Sequence, residues 1–220
     1  MEYGFGFFKA NAADGCQNNS ILNCNITLNR INNAAGAGPA VDGSRGINLV
    51  NSLIGSQTTV LTVTASSGSH SNNRFYGNTI QNCNIGIALI GYAAASPFSL
   101  ADSNNDVGGN SLLSGNQILN FGGGGAVSPA AGIRTLAQYN LNVSYNTFNN
   151  NNGAGLNHTA TLRGIYLNTA QSANVTVLNN SLTLIGGGTN AQVSVIENLS
   201  GATAASNSVI IENNLITNCS

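Results

Sequence analysis

Apolar and amide positions recur along this chain in one fixed order. An apolar or small residue is followed three positions later by Asn and five positions later by Ile, Leu or Phe, as in Phe75-x-x-Asn78-x-Ile80 and Val177-x-x-Asn180-x-Leu182. The same spacing joins Cys16, Asn19 and Ile21; Leu113, Asn116 and Ile118; Val143, Asn146 and Phe148; and Ile211, Asn214 and Ile216. A second Asn follows four residues after the first at Asn23, Asn82, Asn120, Asn150 and Asn218, whereas Leu184 takes that place after Asn180. One residue further on, Cys24, Cys83 and Cys219 share a column. Short β-branched runs at such a period, without helical spacing, predict a stack of similar coils.

The apolar spacing changes from odd to even at the Asn, so one flat strand cannot keep both apolar residues on the same face. The chain must bend there. Asn tolerates left-handed backbone angles at a bend, and its amide can pair with the Asn of the next coil. A second column is Gly-Ile, at Gly46-Ile47, Gly86-Ile87, Gly132-Ile133 and Gly164-Ile165, with Val193-Ser194-Val195 as a fifth member. Alternation puts Ile47 and Leu49 inside and Asn48 outside, with Ala88, Arg134 and Tyr166 as its outward counterparts. From Asn78 the Asn column advances by 38, 30, 34 and 34 residues, one circuit of three strands with unequal loops. The 59 residues between Asn19 and Asn78 hold either a degenerate coil at Asn51-Ser52-Leu53 or an insertion containing Thr58–Thr64, which itself alternates; an extra strand-bearing turn is expected. The predicted fold is all-β, a right-handed parallel β-helix of about six or seven coils spanning residues 1–220 as one domain. Ile21, Ile80, Ile118, Phe148, Leu182 and Ile216 are expected in one interior stack, and Ile47, Ile87, Ile133 and Ile165 in another.

The run from Asn73 to Ile87, Asn-Arg-Phe-Tyr-Gly-Asn-Thr-Ile-Gln-Asn-Cys-Asn-Ile-Gly-Ile, resembles the repeat of pectin-lyase-like parallel β-helices. Nearly the whole chain further resembles the Asn/Gly-rich β-helix regions of large bacterial surface proteins exported by the type IX system. The resemblance implies the fold and a secreted origin. It says little of activity, because this superfold serves lyases, hydrolases, adhesins and spacers alike.

Composition narrows the classes. Charged residues are 6% of the chain and the net charge is −1, so solubility must come from amides and hydroxyls. The six cations, Lys9, Arg30, Arg45, Arg74, Arg134 and Arg163, are scattered and form no basic stripe for nucleic acid. No stretch approaches a membrane span, and the start carries no leader-like segment. Asn214 to Cys219 is a full copy of the motif without a polar covering unit, which favours an internal piece of a longer secreted precursor, extracellular or at the cell surface.

Candidate chemistry is sparse. Of the acids Glu2, Asp14, Asp42, Asp102, Asp106, Glu197 and Glu212, only Asp102 and Asp106 are close in sequence, and polysaccharide cleavage needs several carboxylates on one face. No catalytic residue and no cofactor is assigned. Asp102, Asn104 and Asp106 alternate like the first half of a calcium loop, although Val107 stands where such loops have Gly; the competing reading is an Asn/Asp-rich turn. His70 and His158 read as solvated loop residues, and the four Cys as small ladder residues without a disulfide. The runs Gly122–Gly125 and Gly186–Gly188 read as turns. Outward Tyr92, Phe98 and Tyr166 are candidate contacts for sugar rings. These features point to a noncatalytic structural or adhesive module whose partners are a polysaccharide or neighbouring domains. The alternatives are a polysaccharide lyase or glycoside hydrolase, and an ice-binding helix built on Thr columns.

Overall fold

In the computed structural model, residues 2–29, 43–95, 97–123, 130–152, 158–168, 174–187, 192–200 and 208–220 are described. Their strands repeat in the same order six times. The first coil holds β1 (Tyr3–Lys9), β2 (Ser20–Leu22) and β3 (Asn25–Thr27), and the second β4 (Arg45–Leu53), β5 (Arg74–Tyr76) and β6 (Thr79–Cys83). The third has β7 (Ile85–Ile90), β8 (Asp102–Ser103), β9 (Asp106–Val107) and β10 (Gln117–Phe121); the fourth has β11 (Ala130–Leu136), β12 (Gln138–Tyr139), β13 (Leu141–Ser144) and β14 (Thr147–Asn149). The fifth comprises β15 (Leu162–Leu167), β16 (Asn174–Leu178) and β17 (Ser181–Thr183), and the sixth β18 (Val193–Asn198), β19 (Ser208–Glu212) and β20 (Leu215–Ile216).

Three six-stranded sheets result, β1-β4-β7-β11-β15-β18, β2-β5-β9-β13-β16-β19 and β3-β6-β10-β14-β17-β20, with β8 and β12 forming a small fourth. Every pairing of named strands is parallel, so each strand finds its partner one circuit later and the fold is a parallel β-helix. Among the described residues the one helical element is a 3₁₀ turn, Ser66–Gly68.

Three interior columns run the length of the stack. They are Ile26-Ile80-Ile118-Phe148-Leu182-Ile216, Ile21-Phe75-Val107-Val143-Val177-Ile211 and Phe5-Ile47-Ile87-Ile133-Ile165-Ile196. Within the four middle coils all of these side chains are buried. The Gly column follows from the third of them. A Cβ on Gly132 would lie 2.5 Å from the Phe148 ring and 2.8 Å from the Gly164 carbonyl oxygen, so only Gly lets one sheet seat the side chains of another here.

Several expectations are corrected by this register. Ile21 stacks on Phe75, not on Ile80, because Asn19 lies one bend earlier than Asn78; the residue opposite Asn78 is Cys24. Cys24 therefore lies outside the column of Cys83. Leu113 is 93% exposed: eight residues separate Val107 from Asn116 where two separate Phe75 from Asn78, and Val107 fills the interior place. In the Gly-Ile column Ile165 pairs with Ile196, so the fifth member is Val195-Ile196. No extra coil occupies the gap before Asn78, since β3 pairs directly with β6, and Thr58–Thr64 is loop. The outward side of the first sheet is itself buried, with Asn48 and Ala88 fully covered and Val50, Ile85, Ala88 and Ile90 forming a second small cluster. Gly124, Gly125, Gly188 and Arg30 lie outside the described residues.

The Asn at the bend does what its chemistry suggests. The side-chain Nδ2 of Asn78, Asn116, Asn146 and Asn180 donates to the Oδ1 of the next Asn at 2.8–3.0 Å, and the backbone N–H donates to the same oxygen at 2.9–3.1 Å. The second hydrogen of each Nδ2 goes to a carbonyl of the preceding coil, at Ile21, Phe75, Val107 and Val143. The left-handed backbone angle belongs to the preceding residue instead: Asn23, Gly77, Tyr145, Asn179 and Asn213 all have positive φ. Division of labour between two adjacent residues makes the bend.

Candidate functional site

The segment from Gly91 to Asn116 departs from the regular coil, and it carries two polar groups, one facing out from β9 and one buried at β8. Alternation along β9 decides which way each points. Val107 enters the core, Asp106 faces out, and Asn105 lies at the bend before them.

On the outer side, Arg74, Asp106 and Asn142 are neighbours in register. The Asp106 Oδ2 accepts a hydrogen bond from the Tyr76 hydroxyl at 2.6 Å; its Oδ1 accepts from Asn142 Nδ2 at 2.7 Å and from the Gly109 N–H at 3.1 Å. Asn142 is held in turn by Ser144 Oγ, which donates to its Oδ1 at 2.6 Å. Burial, then the bond to Asp106 and its charge, push the Tyr76 pKa up to about 12, so the phenol stays a donor at neutral pH. Gly108 and Gly109, both at positive φ, start the eight-residue turn that carries Asn110 and Ser114 around this group. The result is a shallow cup of about 310 Å³ lined by Tyr76, Asp106, Gly109, Asn110, Ser114 and Asn142. Asp106 is the sole carboxylate in its wall. The cup can accept and donate hydrogen bonds to a hydroxyl-bearing ligand, but it holds no acid/base pair.

On the inner side, Asp102 in β8 is fully buried. Its Oδ1 accepts the His70 N–H at 2.8 Å and lies 3.8 Å from Lys9 Nζ, which also donates to the Gly68 carbonyl. The Gln138 side chain is near enough to lower the Asp102 pKa without reaching hydrogen-bond geometry. Burial nevertheless dominates and pushes Asp102 up to about 6, with Lys9 opposing; burial likewise pushes Lys9 down. His70 is pushed down to about 4 by burial and then by Lys9. It is neutral at pH 7, taking the Cys16 N–H at Nδ1 (2.9 Å) and donating from Nε2 to the Val50 carbonyl (3.0 Å). Cys16 donates its thiol to Phe8 O at 3.2 Å, and burial pushes its pKa up, which suppresses the thiolate. This cluster ties the first three coils together from within.

Asp102, Asn104 and Asp106 are thus held by different partners. Asp102 turns inward to Lys9, Asp106 turns outward to Tyr76, and Asn104, at φ +55°, joins an exposed ladder between Asn72 and Asn140. Among the described residues, no three His, Cys, Asp or Glu side chains converge as a metal site. Phe98 stacks on Tyr139 with centroids 6.2 Å apart, and Tyr92 shares a small depression with both. Tyr166 is buried, its ring covered by the Arg163 guanidinium at 4.3 Å, which also pairs with Glu197 at 2.8 Å. His70 and His158 are fully buried, not solvated; His158 is held by Gly123 N–H and Thr161 O. The sequence reading missed Lys9, His70, Tyr76, Asn142 and Ser114. Tyr76 and Asn142 carried a signal, since each alternates outward beside an interior Phe75 or Val143, but only the parallel pairing of β9 with β5 and β13 brings Asp106 to them.

No protein family, curated protein or solved structure matches the chain.

Proposed function

We propose that the chain is a noncatalytic β-helix module of a secreted or cell-surface bacterial protein, and that the Tyr76-Asp106-Asn142 cup holds a saccharide. One observation carries this reading. The polar side chains of the helix are spent largely on ladders between coils, and the cup on its side is an exception that faces outward with a carboxylate, amides, a hydroxyl and an aromatic ring together. Those groups are the ones that recognise sugar hydroxyls and the apolar face of a sugar ring. A lone carboxylate already saturated by three donors supports binding over cleavage, because cleavage needs a second group to donate or accept a proton.

The test is a glycan array followed by titration. The expected result is binding of an uncharged saccharide that Tyr76→Ala and Asn110→Ala each weaken at least tenfold, with no new reducing ends over a long incubation. Depolymerisation of pectin, alginate or a related polymer that Asp106→Ala or Asp102→Ala abolishes would establish the enzyme reading instead.

A further inference from the structure

The outward side of the first sheet carries an apolar row that a loop covers without filling. Val50, Ile90 and Leu136 pair in register across β4, β7 and β11. Two strand spacings make the row about 10 Å long. Val50 and Ile90 are buried and Leu136 is half-buried, while Thr58, Thr59 and Val60 of the loop after β4 stand exposed beside them. Together with Gly91 and Ala93 these residues enclose a cavity of about 220 Å³ whose wall is almost wholly apolar.

One buried polar side chain is set in that wall. Asn51 is 2% exposed and lines the cavity. Its Nδ2 donates to the Leu61 carbonyl at 2.8 Å, and the Leu61 N–H donates to the Asn51 carbonyl at 3.1 Å. This pair of bonds ties the loop to β4 and fixes which way the amide is turned. The Oδ1 is left buried, without a hydrogen-bond partner among the described residues. An acceptor in that position is costly until a donor reaches it. Water is a poor candidate, because a bound water needs two or more polar partners and the wall beside Asn51 is mainly methyl groups.

We infer that the cavity binds a compact apolar molecule bearing one hydroxyl, a single-ring phenol or a short straight-chain alcohol. The hydroxyl donates to Asn51 Oδ1 and the apolar body lies along Val50, Ile90 and Leu136. Volume sets the size: a cavity of roughly 150 Å³ holds benzene, so about 220 Å³ takes a ring with one or two further heavy atoms. A sugar does not fit this chemistry, since its remaining hydroxyls would be buried against methyl groups, and an ion would meet no counter-charge in the wall. The site shares no residue with the Tyr76-Asp106-Asn142 cup.

The probes are p-cresol and 1-hexanol. Each is set against an isomer of the same composition whose oxygen is an ether and donates nothing, anisole for the first and 1-methoxypentane for the second. In methyl NMR titrations of the full chain, at least one of the two alcohols is expected to give saturable shifts at Val50, Val60, Ile90 and Leu136. Val177 and Leu182, in the core of the fifth coil, should not move. The alcohol should bind at least tenfold more tightly than its ether isomer, a comparison that leaves Asn51 and the loop it holds intact. Ala93 is exposed and lies outside the strands, so Ala93→Leu narrows the cavity without touching the core and should weaken the alcohol at least tenfold. Saturation by neither alcohol, an ether that binds as well as its alcohol isomer, or shifts spread over the core methyls would each overturn the inference. So would unchanged affinity in Ala93→Leu.

Discussion

Tyr145 is the residue at which this chain departs furthest from its own rule. The position before the bend residue takes a left-handed backbone in five of the six coils, Gly115 before Asn116 being the exception, and Asn or Gly fills it at Asn23, Gly77, Asn179 and Asn213, while Tyr145 does so at φ +61°. A Cβ-bearing side chain in that region crowds the following carbonyl at a cost of roughly 1–2 kcal/mol, which Asn partly escapes. Tyr145→Asn is expected to stabilise the protein by about 1 kcal/mol, read as a rise in the urea midpoint with an unchanged slope. A lower midpoint would mean that the phenol ring contributes more packing than the backbone strain removes.

Strand pairs in this helix are short, many of only two or three residues, so the bends between them must be held by something other than ladder length. The Asn column provides it. Removing Asn146 leaves the buried Asn116 N–H and Nδ2 without their acceptor and the Val107 carbonyl without its donor. Asn146→Ala is expected to cost about 3 kcal/mol, whereas Asn214→Ala, in the half-exposed last coil where water replaces the lost partners, should cost about 1 kcal/mol. Equal losses at the two positions, measured by chemical denaturation, would contradict a role that depends on burial.

At the scale of the molecule, the buried Lys9-Asp102-His70 cluster joins β1, the loop before β5 and β8, and so couples the first three coils. Its acid response follows from the two shifts. His70 at about 4 binds its proton less tightly than an ordinary His of 6.5, so the stability it contributes is present above 6.5 and is lost as pH falls toward 4. Asp102 at about 6, above its ordinary 3.8, takes up a proton in the folded state first, so acidification from 6 to 3.8 stabilises. Each slope is about 1.4 kcal/mol per pH unit and the signs are opposite, so the cluster contributes little net change between pH 6 and 4. Asp102→Asn removes the compensation. Relative to the parent, the variant should lose about 3 kcal/mol between pH 6.5 and 4, followed by urea titrations at each pH; parallel curves for the two proteins would sink the idea.

Local chemistry was enough to determine the repeating unit. Asn-x-(Ile/Leu/Phe) requires a bend because alternation fails there, Gly before Ile marks a close approach, and the result is a parallel β-helix with the Asn78 column buried and bonded along the stack. What the residues could not decide was which copy stacks on which. Cys16-Asn19-Ile21 satisfies the motif as well as Phe75-Asn78-Ile80 does, and only pairing across 54 residues places Ile26, not Ile21, beneath Ile80. Leu113 has the right spacing and is solvent-exposed, because the insertion at Gly108 shifts the motif and Val107 has already taken the interior place. The candidate site shows the same limit. Asp102 and Asp106 are four residues apart in a polar run, yet the bend at Asn104–Asn105 sends one inward to Lys9 and the other outward to Tyr76. Their partners come from other coils, brought into contact by parallel pairing over long separations, and no spacing within a single coil encodes that.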